Sequence, residues 1–273
     1  MTRDALKQIF CAAALILPVS AAHAACEFAP QGEGRVAQVI DARTFRLDDG
    51  RDVRLAGIEM LTDDAARGRN ALAALIDGRN VTLHGADDRP DRYGHQIAFV
   101  AVKGAAALVQ LELVERGEMA ASPLVTDKPC LTALLAAEGT ARAARHGLWG
   151  SSTALKNAER PDDISARMGR FAVIEGTVLS ARLAGAAFYV NFGRRWTRDF
   201  AVTISRRMMP SFAAAGIDLN ALTGKKIRVR GWIEKRGGPR IEASQVGQIE
   251  IVAAADAPVR DSAAGTSERD EGK

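Results

Sequence analysis

Val53-Arg54-Leu55-Ala56-Gly57-Ile58-Glu59 is the stretch whose reading decides the fold of this 273-residue chain. Like Val36 to Ile40 and Thr44 to Leu47 before it, it mixes β-branched and apolar residues, and Asp48-Asp49-Gly50 supplies the turn that separates two such strands. Downstream, Asp64 to Leu75 is rich in Ala, Leu and Arg and runs into Gly78, which reads as a helix with its stop. Ala105 to Arg116 and Leu131 to Arg145 repeat that pattern, closed by Gly117 and Gly147. Three short strands, a helix, a hairpin and two helices predict a small barrel with helices packed on it, over residues 27 to 150.

Residues 151 to 166 are polar, with Ser151-Ser152-Thr153 and Pro161-Asp162-Asp163, and read as a linker. A second strand-rich block spans 167 to 253. Phe171 to Leu179, Ala187 to Phe192 and Phe200 to Ile204 read as strands, Arg206 to Ala215 as a helical insert despite Pro210, and Lys225 to Glu234, Pro239 to Ala243 and Ile249 to Val252 as further strands. This is the order of an OB-fold, a partly open five-stranded barrel. The fold class expected is therefore mainly β with helices, α+β, as two small OB-type barrels.

The ends read differently. Arg3 and Lys7 precede an apolar run from Ile9 to Val19, and Ala22-His23-Ala24 offers small residues to a signal peptidase, so residues 1 to 25 read as an export signal. The run is shorter than the roughly 18 residues of a membrane span, a retained anchor being the alternative. Cys26 also raises a lipid-modified terminus, against which His23 stands where an apolar residue is wanted. Residues 254 to 273 lack large apolar residues beyond Val259 and are expected to be disordered. A periplasmic or secreted protein with no transmembrane segment in the mature chain follows. Removing the signal takes Cys11 away and leaves Cys26 and Cys130, an even pair in an oxidising compartment, hence an expected disulfide. Closing so long a loop is worth about 4.7 kcal/mol in the chain-entropy limit.

Charge is unevenly divided. Residues 27 to 150 hold 15 Lys and Arg against 18 Asp and Glu, a net of −3, while 167 to 252 hold 15 against 6, a net of +9. A basic second block favours a polyanion, because neutralised phosphates release condensed counterions; a solvated face that aids solubility is the alternative. Neither cysteine has a neighbouring Cys or His at ligand spacing, and no Ser-His-Asp grouping, phosphate loop or zinc spacing is present. His84 and His146 read as surface or packing residues.

The deciding stretch belongs to a longer frame: Val39-Ile40-Asp41-Ala42-Arg43-Thr44-Phe45-Arg46-Leu47, then 53 to 59, then Asp91-Arg92-Tyr93-Gly94-His95, then His146-Gly147-Leu148-Trp149-Gly150. Over residues 35 to 150 this frame resembles the staphylococcal-type thermonucleases. The resemblance implies a calcium-dependent phosphodiesterase site, needing carboxylates for the metal, a base to direct water and cations for the phosphoryl oxygens. Arg54 matches the family's phosphate-binding arginine, and Glu59 is a longer carboxylate at a metal position. Arg43 stands where the first metal carboxylate is expected, Thr62 at the general base, and His95 at the second arginine. A hydroxyl cannot take a proton from water near neutral pH as a carboxylate does. Asp63 and Asp64 could substitute only after a one-residue slip, and misplacement by about 1 Å costs about 10²-fold in rate. Arg54, Glu59 and His95 are thus the remaining candidates of a degenerate catalytic site, with no metal or other cofactor expected; calcium enters only if the site is an active, altered nuclease.

In the second block Phe188 to Phe200 interleaves aromatic and arginine residues, the combination with which OB-folds hold single strands. Phe188, Val190 and Phe192 share a strand face, so Tyr189 and Trp196 are the candidates for stacking, with Arg194, Arg195 and Arg198 beside them. The alternation in Lys225 to Trp232 puts Lys226, Arg228 and Arg230 on one face, read as a positive barrel surface. Trp232 fits core or stacking platform equally. The expected function is an exported binder of nucleic acid or another polyanion through residues 167 to 252. The alternatives are an altered calcium-dependent nuclease and an envelope scaffold for protein or glycan.

Overall fold

The computed structural model describes residues 26–252; the segments read as export signal and disordered tail lie outside the described residues. The first region holds seven strands: β1 Ala29–Val39, β2 Thr44–Leu47, β3 Asp52–Leu55, β4 Ile58–Glu59, β5 Asn80–Gly85, β6 His95–Val102 and β7 Ala120–Ala121. Five of them close into a barrel in the order β1-β2-β3-β6-β5, with β3 and β6 parallel and the rest antiparallel. Closure is possible because inward positions alternate: Phe45 and Leu47 on β2, Val53 and Leu55 on β3, Leu83 on β5 and Val100 on β6 are all buried in one core.

Three helices pack on this barrel: α1 Ala65–Ile76, α2 Val109–Glu115 and α3 Lys128–Ala143. Asp64 caps α1 by accepting from the Arg67 amide, and Asp127 caps α3 through the Cys130 amide with Pro129 in the first turn. The buried residues of α3, Cys130, Leu134, Glu138 and Ala141, recur at helical spacing and form its inward stripe. Cys130 bonds Cys26, as the cysteine count predicts, fixing the start of the described chain to α3 with their Cα atoms 4.4 Å apart.

The residues read as a linker are structured instead. Leu155–Asn157 is a strand, β8, parallel to β9 Phe171–Thr177, and Pro161–Ser165 is a short helix, α4. Polar composition misleads here because β8 is supplied with its hydrogen-bond partners by β9, and Ala158 and Ile164 fill the second core. The remaining strands are β10 Ser180–Ala184, β11 Ala187–Asn191, β12 Ala201–Ser205, β13 Lys226–Trp232, β14 Glu234–Arg236, β15 Gly238–Glu242 and β16 Ile249–Ile251, with α5 at Met209–Ala214. The helical insert is accommodated because Pro210 sits in the first turn of α5, where its missing N–H costs nothing.

These strands form two open sheets, β10-β11-β12-β15-β14 and β16-β13-β9-β8, over a shared core that includes Ile174, Phe188, Val202, Val229 and Ile241. The hydrogen-bond ladder closes around the first region alone. The chain passes from one sheet to the other at Val178, whose amide bonds Lys225, and Leu179, whose amide bonds Asn191. A third cluster, Leu61, Ala120, Ala141, Trp149, Ala154, Phe171 and Val173, joins the two regions. No helix among the described residues is long and apolar enough to cross a membrane.

Candidate functional site

Arg43, Arg54 and Glu59 converge on the barrel rim. Arg43 lies in the β1–β2 turn, which Asp41 shapes by accepting the Arg43 amide at 2.7 Å. Arg54 alternates on β3 with buried Val53 and Leu55 and so points outward. Between β3 and β4 the chain turns at Gly57, φ +75°, where a Cβ would come within 2.8 Å of the Phe99 ring; only glycine fits this approach. The turn aims Glu59, 7% exposed, back toward Arg43.

The Arg43 guanidinium pairs with Glu59 Oε2 and donates to the Ile58 carbonyl at 2.8 Å, while the Ser122 hydroxyl donates to Glu59 Oε1 at 3.3 Å. Burial pushes the Glu59 carboxyl above its ordinary range, against the opposing pull of Arg43, Ser122 and Arg54. Arg54 forms no ion pair among the described residues. It lines two grooves, one of about 410 Å³ over the barrel with Phe28, Ile97, Phe99 and Leu124, and one of about 430 Å³ between the regions with Thr62, Asp63, Arg170 and Trp232.

Thr62, Asp63 and Asp64, at and beside the position where the resemblance places a base, are engaged elsewhere. Thr62 Oγ1 accepts the Asp64 amide at 3.2 Å, Asp64 caps α1, and Asp63 bridges Arg167 at 2.9 Å and Arg170 at 3.3 Å from the second region. His95 stays apart from the convergence. It stands opposite Asp52 at the start of β6, its Nδ1 lies 3.4 Å from Asp91 Oδ2, and it lines neither groove. The His95 amide, first among several contacts, holds the Asp91 carboxyl below its ordinary range. Among the described residues no three His, Cys, Asp or Glu side chains group as a metal site.

In the second region the expected alternation of Lys226, Arg228 and Arg230 is present on β13, but the face is not an open positive surface. Arg228 stands in register with Glu175 on β9 and Glu250 on β16 and is 4% exposed. It donates to both carboxylates, at 2.7 and 2.6 Å, and Lys226 also pairs with Glu175. Arg230, 0% exposed, reaches Glu138 on α3 at 2.7 Å, the Ala121 carbonyl at 3.3 Å and Glu250 at 3.2 Å. The net charge of the block misses this because Glu175 and Glu250 are concentrated on this one face, and a further acid, Glu138, comes from the other region.

The loop from Arg194 to Arg198 is open. A tight turn, with the Arg195 amide held by Asp199 at 2.7 Å and the Arg198 amide by the Arg195 carbonyl, displays Arg194, Arg195 and Trp196 to solvent. Trp196 is 74% exposed and rests on Gly237, φ +78°, where a Cβ would meet its ring at 3.0 Å. Arg198 pairs with Asp162 at 3.0 Å. Tyr189 is half-buried on β11 between Arg182 and Thr203. The sequence reading missed Lys235 and Arg236, exposed beside Gly237, Ser122 in the groove over the barrel, and Arg167 and Arg170 in the groove between the regions. The basic pair before two glycines was the available signal for the first two.

A comparison with curated proteins gives no match. Residues 53–151 match the family model described as staphylococcal nuclease homologue, and the closed five-stranded barrel that carries Arg54, with Glu59 on β4 at its rim, is an SNase-like domain.

Proposed function

We propose that this protein is an exported, non-hydrolysing binder of nucleic acid or a related polyanion. The observation that carries the reading is the Arg43–Glu59 pair. A guanidinium occupies the carboxylate at the rim where the family resemblance calls for a hard cation, and no free carboxylate stands at the Thr62 position to direct water. Binding is assigned to the exposed loop of Arg194, Arg195, Trp196 and Arg198 with Lys235 and Arg236, a ring for stacking surrounded by cations. The sheet crossing at Val178 and Leu179 supports an OB-type reading of this region. Lys226, Arg228 and Arg230 act here by holding the scaffold that presents the loop.

The test uses the intact mature chain. Anisotropy with a single-stranded oligonucleotide should show affinity falling with salt at a slope near −0.7 per contacted phosphate. Replacing Arg194 and Arg195 by Ala should flatten that slope, and Trp196→Ala should cost about 1–3 kcal/mol at every salt concentration. Purified protein should not cut DNA or RNA with calcium. Calcium-stimulated cleavage that Arg54→Ala abolishes would establish the altered nuclease instead, and absence of oligonucleotide binding at low salt would favour the scaffold.

A further inference from the structure

The groove between the two regions has chemistry that neither region holds alone. Arg54 comes from β3 and has no ion-pair partner among the described residues, and Arg170 enters from just before β9 with its side chain mostly exposed. Trp232 closes the far wall at the end of β13, 40% exposed and braced in a T-shaped contact with Phe171 at 5.1 Å. An anion already sits between two of the cations: the Asp63 carboxylate bridges Arg167 and Arg170, the placement a phosphate oxygen pair takes between two guanidinium groups. The volume, about 430 Å³, lies in the range of small-molecule sites.

We propose that this groove binds a single nucleotide unit, its phosphate between Arg54 and Arg170 and its base on Trp232. The site deepens the polyanion reading, since a nucleotide held here is either a free mononucleotide or one residue of a strand led in from the Trp196 loop. It differs from the open groove over the barrel in needing two side chains from the second region. Asp63 is its internal competitor: an acid that must release Arg170 before phosphate enters weakens binding, and its removal strengthens it.

Calorimetric titration of the intact mature chain with adenosine monophosphate, inorganic phosphate and adenosine tests this. The nucleotide is expected to bind at least about tenfold tighter than phosphate, the size of one added stacking contact. Arg54→Gln and Arg170→Ala should each weaken it about tenfold, as loss of one charge-assisted hydrogen bond does. Trp232→Leu should reduce the nucleotide to the affinity of inorganic phosphate, with thermal melts verifying that each variant is folded. Asp63→Asn should raise affinity several-fold, a gain that a purely structural role for Asp63 cannot produce. Lys103→Ala, remote and exposed, should change nothing. Nucleotide binding that is indifferent to Arg54→Gln and Arg170→Ala, or that Asp63→Asn lowers, overturns the inference. Absence of mononucleotide binding beside intact oligonucleotide binding sinks the groove alone and leaves the proposed function standing.

Discussion

Two buried arginine–glutamate pairs in this protein have opposite characters. Between the regions, Glu138 is saturated: Arg230 at 2.7 Å, Arg142 at 2.6 Å and the Ala121 amide at 2.9 Å all donate to it. Burial alone would raise its carboxyl, but Arg230, Arg142 and that amide together hold it below the ordinary glutamate range. At the rim, Glu59 has Arg43 and one long bond from Ser122, and burial wins. A fully satisfied buried carboxylate is a structural fastening. One left under-compensated beside an open groove has the signature of a binding or catalytic site, kept there at some expense to stability.

The strongest way to break this contrast is at Arg230. Arg230→Ala leaves Glu138 dry with Arg142 as its remaining cation, and is expected to cost about 3 kcal/mol in urea unfolding, the low end for breaking a buried pair. Replacing the pair together, Arg230→Met with Glu138→Leu, should recover most of that loss. A cost for Arg230→Ala below about 1 kcal/mol, the range of exposed pairs, would mean that the regions are held by the Trp149 and Phe171 cluster alone.

The next effect lies on the same helix. Cys130 precedes Glu138 on the buried stripe of α3, so the disulfide and the ion pair anchor one element from two sides. Changing both cysteines to serine should cost about 2–5 kcal/mol. If the cost of Arg230→Ala is unchanged in that background, the two anchors are independent; a coupling above about 0.5 kcal/mol shows that they share α3.

How far these features could be read from the sequence depends on where their partners lie. The long helices were legible because caps and glycine stops are local, and α1 falls within one residue of its expected bounds. The disulfide was legible from counting. By contrast β4, β7 and β8 are two or three residues long and exist through partners distant in sequence, so composition could not reveal them. The facing of Arg228 and Arg230 followed from strand period, but their burial did not, because Arg230 meets Glu138 of α3, 92 residues away in the chain, and Arg228 meets Glu175 and Glu250 on the neighbouring strands. Arg43, Arg54 and Glu59 were found through the family frame, whereas Arg167 and Arg170 border a stretch that read as linker and gave no sign of facing that site.

The smallest expected effect sharpens the contrast through its sign. Glu138 has a lowered carboxyl, so its stabilisation is present above the ordinary glutamate range and is lost as pH falls through the folded value. Glu59 is raised, so its contribution is present below the ordinary range and is lost as pH rises through the folded value. At neutral pH the wild type therefore carries a cost at Glu59 that a neutral amide does not, and Arg43 keeps the Ile58 carbonyl as partner. Glu59→Gln should be neutral to about 1 kcal/mol more stable near pH 7, with the gain vanishing toward about pH 4. Glu138→Gln should be less stable near neutral pH, with its deficit shrinking on acidification. Urea midpoints of the three proteins across that range decide the matter: a Glu59→Gln variant less stable than wild type throughout would make the rim pair a second fastening and remove the physical distinction between site and scaffold.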